Sequence, residues 1–148
     1  MDLSSWIPAG LLPKYLLLMS IVSVGNSIQA YMTTKNTKEV YRTQLTGPTQ
    51  VTALQSRTFG TWTLTAAVVR LYGAYNIQNP PVYGLVQLTF LIALVHFGLE
   101  WQYYKCTSWG RGSAGPIIIA PLSIIWLAAQ KSYYLHNAVM HHQVLEAL

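Results

Sequence analysis

The sequence predicts an all-α, polytopic membrane protein built as a four-transmembrane-helix bundle. Hydrophobic residues make up 52% of the 148 residues and charged residues only 9%, against roughly 25% charged residues in soluble domains. Four apolar segments follow one another along the chain, each close to the length of about 20 helical residues that crosses a bilayer core. The formal charge of +5 reflects scarce acids rather than clustered bases, so we expect no nucleic-acid binding.

The four predicted helices are separated by segments rich in polar residues, proline or glycine. They cover residues 14–33, 55–77, 81–104 and 116–135, with a polar loop at 34–54 and a C-terminal tail at 136–148. The first helix is not followed by the small-residue cleavage site of a signal peptide, so we expect it to remain in the protein. We therefore predict one membrane domain that covers residues 1–148.

The second and third helices are predicted to form a tight hairpin. The sequence Asn79-Pro80-Pro81 suits a helix start, because asparagine is a good N-cap and proline fits the first helical position. The third and fourth helices are joined by residues 110–115, which have the G-x-G-x-x-G spacing of a dinucleotide site. A working site follows a strand and has an acid about 20 residues later, but here the next acid is Glu146. We therefore expect a flexible turn and no cofactor.

The distribution of basic residues predicts the orientation in the membrane. Six of them lie at the side of the loops 34–54 and 105–115, and three lie at the side of both chain ends. Because basic loops remain in the cytosol, we expect the long loop to be cytosolic and both termini to be lumenal.

Catalytic motifs are not found. The sequence has no G-x-S-x-G elbow, and its single cysteine, Cys106, has no obvious paired base. The histidines His136, His141 and His142 are too few for a di-iron site and are interpreted as a polar or weakly metal-binding tail. We expect no enzyme activity and no metal site.

Polar and small side chains share faces of the predicted helices. In lipid, such side chains let helices approach closely and bond across the interface. The sequence leaves open whether these faces pack against other helices of the chain, against a partner or against a second copy in a homodimer. The residues assigned to packing or partner faces are Ser23, Asn26, Ser27, Gln29, Thr58, Trp62, Arg70 and His96.

Four ionisable residues of the second and third helices carry specific expectations. Arg57 and Glu100 lie at nearly equal distances from the turn at Asn79, so we predict that they form a structural ion pair near the cytosolic boundary. His96 is predicted one turn deeper than Glu100 on the same face. Arg70 is expected to snorkel toward the lumenal interface.

Five blocks of the sequence are similar to those of a known family. They are SIVSVGNSIQAY at 20–31, LQSRTFGTWTL at 54–64, VVRLYGAY at 68–75, ALVHFGLE at 93–100 and GRGSAGPIII at 110–119. In this order they resemble the ergosterol biosynthetic protein 28 family of endoplasmic-reticulum membrane proteins. The tail HHQVLEAL differs from some relatives because it lacks a terminal dilysine.

The resemblance implies a non-catalytic scaffold of ergosterol biosynthesis in the endoplasmic-reticulum membrane. The implied partners are the sterol C-4 methyl oxidase, the 3β-hydroxysteroid dehydrogenase/decarboxylase and the 3-keto sterol reductase, with the sterol C-24 methyltransferase as a further candidate. The alternative hypothesis is a small sterol-binding carrier or enzyme that uses Arg70, His96 and Glu100, because ionisable residues within a membrane are functional candidates by default.

Overall fold

The computed structural model describes residues 6–42 and 51–146, with side chains as far as His136. Its regular elements are all helical in this part of the chain. The helices are α1 (Leu11–Met32), α2 (Lys35–Val40), α3 (Ala53–Tyr75), α4 (Pro80–Gln102) and α5 (Arg111–Glu146). The all-α class predicted from the sequence is therefore confirmed.

Three of these helices are long and apolar enough to cross a membrane. They are α1, α4 and the part of α5 from Arg111 to His136. Helix α3 has 23 residues and is roughly 34 Å long at 1.5 Å per residue, so its length is sufficient. Its two arginines and four threonines make it less apolar than the other three, so the fourth span remains a prediction.

Two helices begin at side-chain caps. The predicted cap at Asn79 is confirmed, because its Oδ1 accepts a hydrogen bond from the Val82 backbone N–H at 3.3 Å and prolines occupy the first turn. Helix α3 begins at a capping box that the sequence analysis did not identify. The Gln55 N–H donates to Thr52 Oγ1 at 3.1 Å, and the Thr52 N–H donates to Gln55 Oε1 at 2.7 Å, so two of the free N–H groups at the helix start are satisfied.

The two longer connections differ from the sequence-based expectation. The predicted loop at 34–54 contains the short helix α2, while residues 43–50 lie outside the described part. The predicted turn at 110–115 is wrong, because α5 begins at Arg111 and the connection lies at 103–110. Helix α5 also continues to Glu146 through the predicted tail. Pro116 and Pro121 lie inside it, as membrane helices tolerate proline where neighbours satisfy the freed carbonyl groups.

Helices α1 and α3 form an antiparallel pair that is joined by serine hydroxyls. Ser20 Oγ donates to the Ala67 carbonyl at 2.8 Å and Ser27 Oγ donates to the Gly60 carbonyl at 2.7 Å. A Cβ atom at Gly60 would lie 2.8 Å from the ring of Tyr31, so a glycine is needed for this close approach. The small-residue face of α1 therefore packs, in large part, within the chain.

Helices α4 and α5 form the second pair, and two apolar clusters join it to the first. One cluster lies at the α1 N-terminal end and includes Leu12, Leu16, Tyr83 and Leu127. The other lies near α2; its buried members are Val40, Ala93, Phe97 and Ala120. The Tyr15 and Ser123 hydroxyls, 2.5 Å apart, connect α1 to α5 beside the first cluster.

Candidate functional site

A cavity of about 490 Å³ lies among the helices, and each of the five contributes to its lining. Its volume is within the range of roughly 300–1,000 Å³ that is typical of small-molecule sites. The rings of Phe59, Trp62, Phe90 and Phe97 form an aromatic part of the wall. Exposed polar residues line the cavity near α2, among them Glu39 and Arg111.

Five of the residues selected from the sequence line this cavity. They are Ser23, Asn26 and Gln29 on α1 and Trp62 and Arg70 on α3. The α1 residues share one side of the helix because their spacing of three residues corresponds to nearly one turn. Part of the cavity wall thus consists of residues that the sequence pattern assigns to helix packing or to partners.

The other two residues of the predicted packing or partner faces on α1 and α3 lie elsewhere. The hydroxyl of Ser27 is buried between α1 and α3, where it bonds Gly60. Thr58 is exposed, and its hydroxyl donates to the Leu54 carbonyl of its own helix at 3.0 Å. Ser27 thus stabilises the fold, whereas Thr58 is accessible to lipid or to another protein.

Arg70 is the charged residue in the wall of the cavity on α3. Its Nε donates to Thr89 Oγ1 at 3.2 Å and its Nη1 donates to Ser23 Oγ at 3.3 Å. Its guanidinium carbon lies 4.1 Å from the centre of the Phe90 ring, a cation–π arrangement. Arg70 is thus held by neutral polar and aromatic groups of α1 and α4.

The expectation that Arg70 snorkels toward the lumenal interface is wrong. The bonds Ser20–Ala67 and Ser27–Gly60 set a register in which Arg70 lies opposite Leu17 of α1. Ser23 is six residues further toward α2, roughly 9 Å by helical rise. Because Ser23 and Thr89 offer hydroxyl acceptors inside the bundle, the guanidinium turns toward the middle of the helices.

His96 belongs to an aromatic group next to the cavity. Its Nε2 lies 2.8 Å from the Tyr41 hydroxyl, and its ring centre lies 5.2 Å from that of Trp62 and 5.0 Å from that of Phe97. His96 therefore connects α4 to α3 and to the segment after α2. No hydrogen bond or ring contact in the described part of the chain joins it to Arg70, so the structure does not bring the three residues of the alternative hypothesis into one site.

Glu100 influences groups at the α2 end of the bundle. Burial raises the pKa of the Tyr41 hydroxyl, and the negative charge of Glu100 raises it further. The pKa of the Cys106 thiol is also raised, first by desolvation and then by the charge and a hydrogen bond of Glu100. Both groups therefore stay protonated at neutral pH, which argues against a reactive cysteine.

The structure does not bring Arg57 and Glu100 together. Among the described residues, the ion pair found within 4.0 Å joins Arg42 to Glu39 at 3.9 Å. Arg57 lies on the exposed side of α3, roughly half a turn around the helix from Phe59 and Trp62, which face α4. Equal depth from a hairpin turn does not fix the direction of a side chain around its helix, and this is why the predicted pair fails.

Comparison with known proteins identifies the family. The family model described as Erg28 like protein matches residues 12–125. The chain belongs to the ergosterol biosynthetic protein 28 family. Ergosterol biosynthetic protein 28 of Candida albicans is 46% identical over 127 residues, which cover 86% of this chain and 90% of that protein.

Similarity within the ergosterol biosynthetic protein 28 family extends from yeasts to animals. The Saccharomyces cerevisiae protein of that name is 42% identical and covers 86% of this chain and 85% of its own length. The Homo sapiens homolog is 34% identical over 82% of this chain and 86% of its own length. These names refer to a biosynthetic protein rather than to an enzyme activity. No solved structure gives a significant match to this chain.

Several residues of the cavity in this Erg28-family protein were missed by the sequence analysis. Phe90 resembles any apolar residue of a membrane helix, and no sequence signal marks its contact with Arg70. Glu39 lies in α2 and Arg111 is the first residue of α5, and both line the cavity. Both elements were predicted as irregular connections, so their positions beside the cavity could not be inferred.

Proposed function

We propose that this protein is a non-catalytic scaffold that gathers the sterol C-4 demethylation enzymes in the endoplasmic-reticulum membrane. Membership of a family named for ergosterol biosynthesis supports the pathway. The proposed partners are the C-4 methyl oxidase, the 3β-hydroxysteroid dehydrogenase/decarboxylase and the 3-keto sterol reductase, with the C-24 methyltransferase as a further partner. The observation that carries the scaffold role is an exposed polar stripe on α3.

This stripe, the hydroxyl stripe, consists of Thr58, Thr61 and Thr65, which are all exposed. Each hydroxyl donates to the carbonyl four residues earlier at 3.0 Å. The hydroxyl hydrogens are therefore satisfied locally, and another helix can cover the stripe without stranding a donor. Small hydroxyl residues on a membrane helix favour close association with a second helix. The stripe is thus suited to hold a membrane helix of a partner enzyme.

The proposal includes α3 as the fourth membrane span. Its bonds to α1 through Ser20, Ser27 and Ser56 are spread along both helices, so α3 lies beside a helix that is itself long and apolar enough to span. Four spans place both termini on one side, and the excess of basic residues near the long loop favours a cytosolic loop and lumenal termini.

Site-specific photocrosslinking tests the scaffold role. A benzophenone amino acid is placed at Thr58 or Thr65, and matched controls carry it at Leu88 or Leu91, which are exposed apolar positions of α4. We expect the sterol C-4 enzymes to crosslink from α3 in native membranes and not from α4. Equal crosslinking from both helices, or none from α3, would contradict the hydroxyl stripe as the contact surface.

The alternative function, a sterol-binding carrier or enzyme, is favoured by the cavity beside Arg70. It is distinguished from the scaffold by measuring whether the purified chain alone turns over or binds a 4-methylsterol. We expect neither chemical turnover nor saturable binding of this uncharged sterol. Product formation by the isolated protein would overturn the non-catalytic assignment.

A further inference from the structure

Arg70 presents part of its guanidinium group to the cavity. A guanidinium has five N–H donors, and two of them are used on Ser23 and Thr89. Among the described residues, no carboxylate lies within 4.0 Å of Arg70. Nη2 makes no hydrogen bond within the described part of the chain. Every buried side-chain nitrogen or oxygen there has a hydrogen-bond partner, so Nη2 is accessible rather than buried. Arg70 is also one of the residues that line the cavity, so its unused donors are available to a ligand there.

The surroundings of Arg70 define the chemistry of a ligand. The amide of Asn26 and the hydroxyl of Ser23 lie on the same wall and can hydrogen-bond a polar group, while the rings of Phe59, Trp62 and Phe90 offer flat apolar surface. A fixed positive charge in an apolar site favours a negative partner, and a carboxylate matches the planar geometry of guanidinium with two parallel hydrogen bonds. The cavity thus has polar groups beside Arg70 and, separately, near α2, together with an aromatic wall.

We propose that this cavity binds a carboxylated lipid, with its carboxylate on Arg70 and its apolar body along the aromatic wall. Both a fatty acid and a sterol that carries a carboxyl group have this chemistry. The cavity volume of about 490 Å³ is within the range of sites that enclose small ligands. This binding goes beyond the scaffold role and does not depend on it, because it requires only the isolated chain.

The test measures the equilibrium binding of lipid probes to the purified full-length chain, which is kept in a detergent that contains no sterol. The probes are cholesteryl hemisuccinate, which carries a carboxylate, unmodified cholesterol, and palmitate. We expect at least one carboxylated probe to bind ten or more times more tightly than cholesterol. Arg70→Gln should remove this preference, since it keeps a hydrogen-bonding side chain but lacks the charge. The matched control is Arg57→Gln on the exposed side of the same helix, which should retain it.

Each outcome of this test decides the proposal. A preference for hemisuccinate or for palmitate that depends on Arg70 supports it and identifies the sterol or the fatty acid as the source. Failure of both carboxylated probes to bind more tightly than cholesterol overturns it, as does an equal loss of this preference in Arg57→Gln and Arg70→Gln.

If Arg70→Gln does not fold, Ala66→Phe provides the test, because Ala66 lines the cavity one turn from Arg70 and a ring there would fill it. Unchanged hemisuccinate and palmitate binding in Ala66→Phe would then exclude the cavity.

Discussion

Gly112 shows how the absence of one side chain permits a contact between two helices. A Cβ atom at this position would lie 2.6 Å from the carbonyl carbon of Glu39 and 2.7 Å from the backbone nitrogen of Val40. Such distances are shorter than atomic contacts allow, and the obstacle is backbone rather than a movable side chain. The glycines of the G-x-G-x-x-G sequence therefore include one that lets α5 begin directly against α2.

Gly112→Ala should destabilise the fold. We expect a loss of roughly 1–3 kcal/mol, because an inserted methyl group would displace the α2 backbone. The measurement is the thermal unfolding midpoint of the detergent-purified protein. Gly115→Ala is the matched control, since a Cβ atom there meets no atom within 4 Å and alanine favours helix over glycine. Equal stability of Gly112→Ala and Gly115→Ala would disprove the close contact.

Helix α2 is fixed to the longer helices by buried hydroxyl groups. Ser56 Oγ donates to the Ala30 carbonyl at 2.7 Å and lies 2.8 Å from Thr37 Oγ1. Since Ser56 has one hydroxyl hydrogen, Thr37 donates to Ser56. Thr107 Oγ1 donates to the Val40 carbonyl at 2.5 Å from the connection before α5. A helix of six residues thus joins α1, α3 and the start of α5.

Ser56→Ala should loosen α2. The substitution leaves the buried Thr37 hydroxyl without its acceptor, so we expect a loss of about 2 kcal/mol in the free energy of unfolding. Thr58→Ala, two residues away on the exposed side of α3, should change stability by less than about 0.5 kcal/mol. Chemical unfolding followed by tryptophan fluorescence measures both. A similar effect of the two variants would show that the hydroxyl group of Ser56 contributes nothing specific.

The sequence predicted helices where the physical signal is local. The apolar length of α1 and α4 and the cap at Asn79 depend on neighbouring residues alone, and the structure agrees with them. The direction of Arg57 and Arg70 around α3 depends on which helices pack there, and this information is not local. Helix α2 was missed because its six residues, KNTKEV, carry little apolar periodicity, and its stability comes from tertiary hydrogen bonds.

The whole molecule is predicted to place three accessible sites on defined sides of the membrane. Lys38 on α2 and Cys106 before α5 should face the cytosol, and Gln78 between α3 and α4 should face the lumen; all three are exposed. Lys38 and Gln78 flank α3, whereas Gln78 and Cys106 flank α4. The side of Lys38 relative to Gln78 therefore tests whether α3 crosses the bilayer.

Labelling with a membrane-impermeant maleimide on sealed endoplasmic-reticulum vesicles provides the measurement. Native Cys106 is the chain's single cysteine, and Lys38→Cys and Gln78→Cys are made in a Cys106→Ser background. We expect labelling at 38 and 106 without detergent and at 78 only with it. A pH of about 8.5 is suitable, because the raised pKa of Cys106 lowers its thiolate fraction and thus its reactivity. Labelling of 38 and 78 from the same side would exclude a spanning α3.

The position of the cavity makes the two ends of the bundle mechanically different. The two helix pairs meet in a closed core at the end of the bundle that contains Leu12, Leu16 and Leu127. Toward α2, the cavity lies among the helices. Because hydrostatic pressure favours states with less internal void, we expect compression to shift the helices at the α2 end, where there is space to remove, more than those at the closed end.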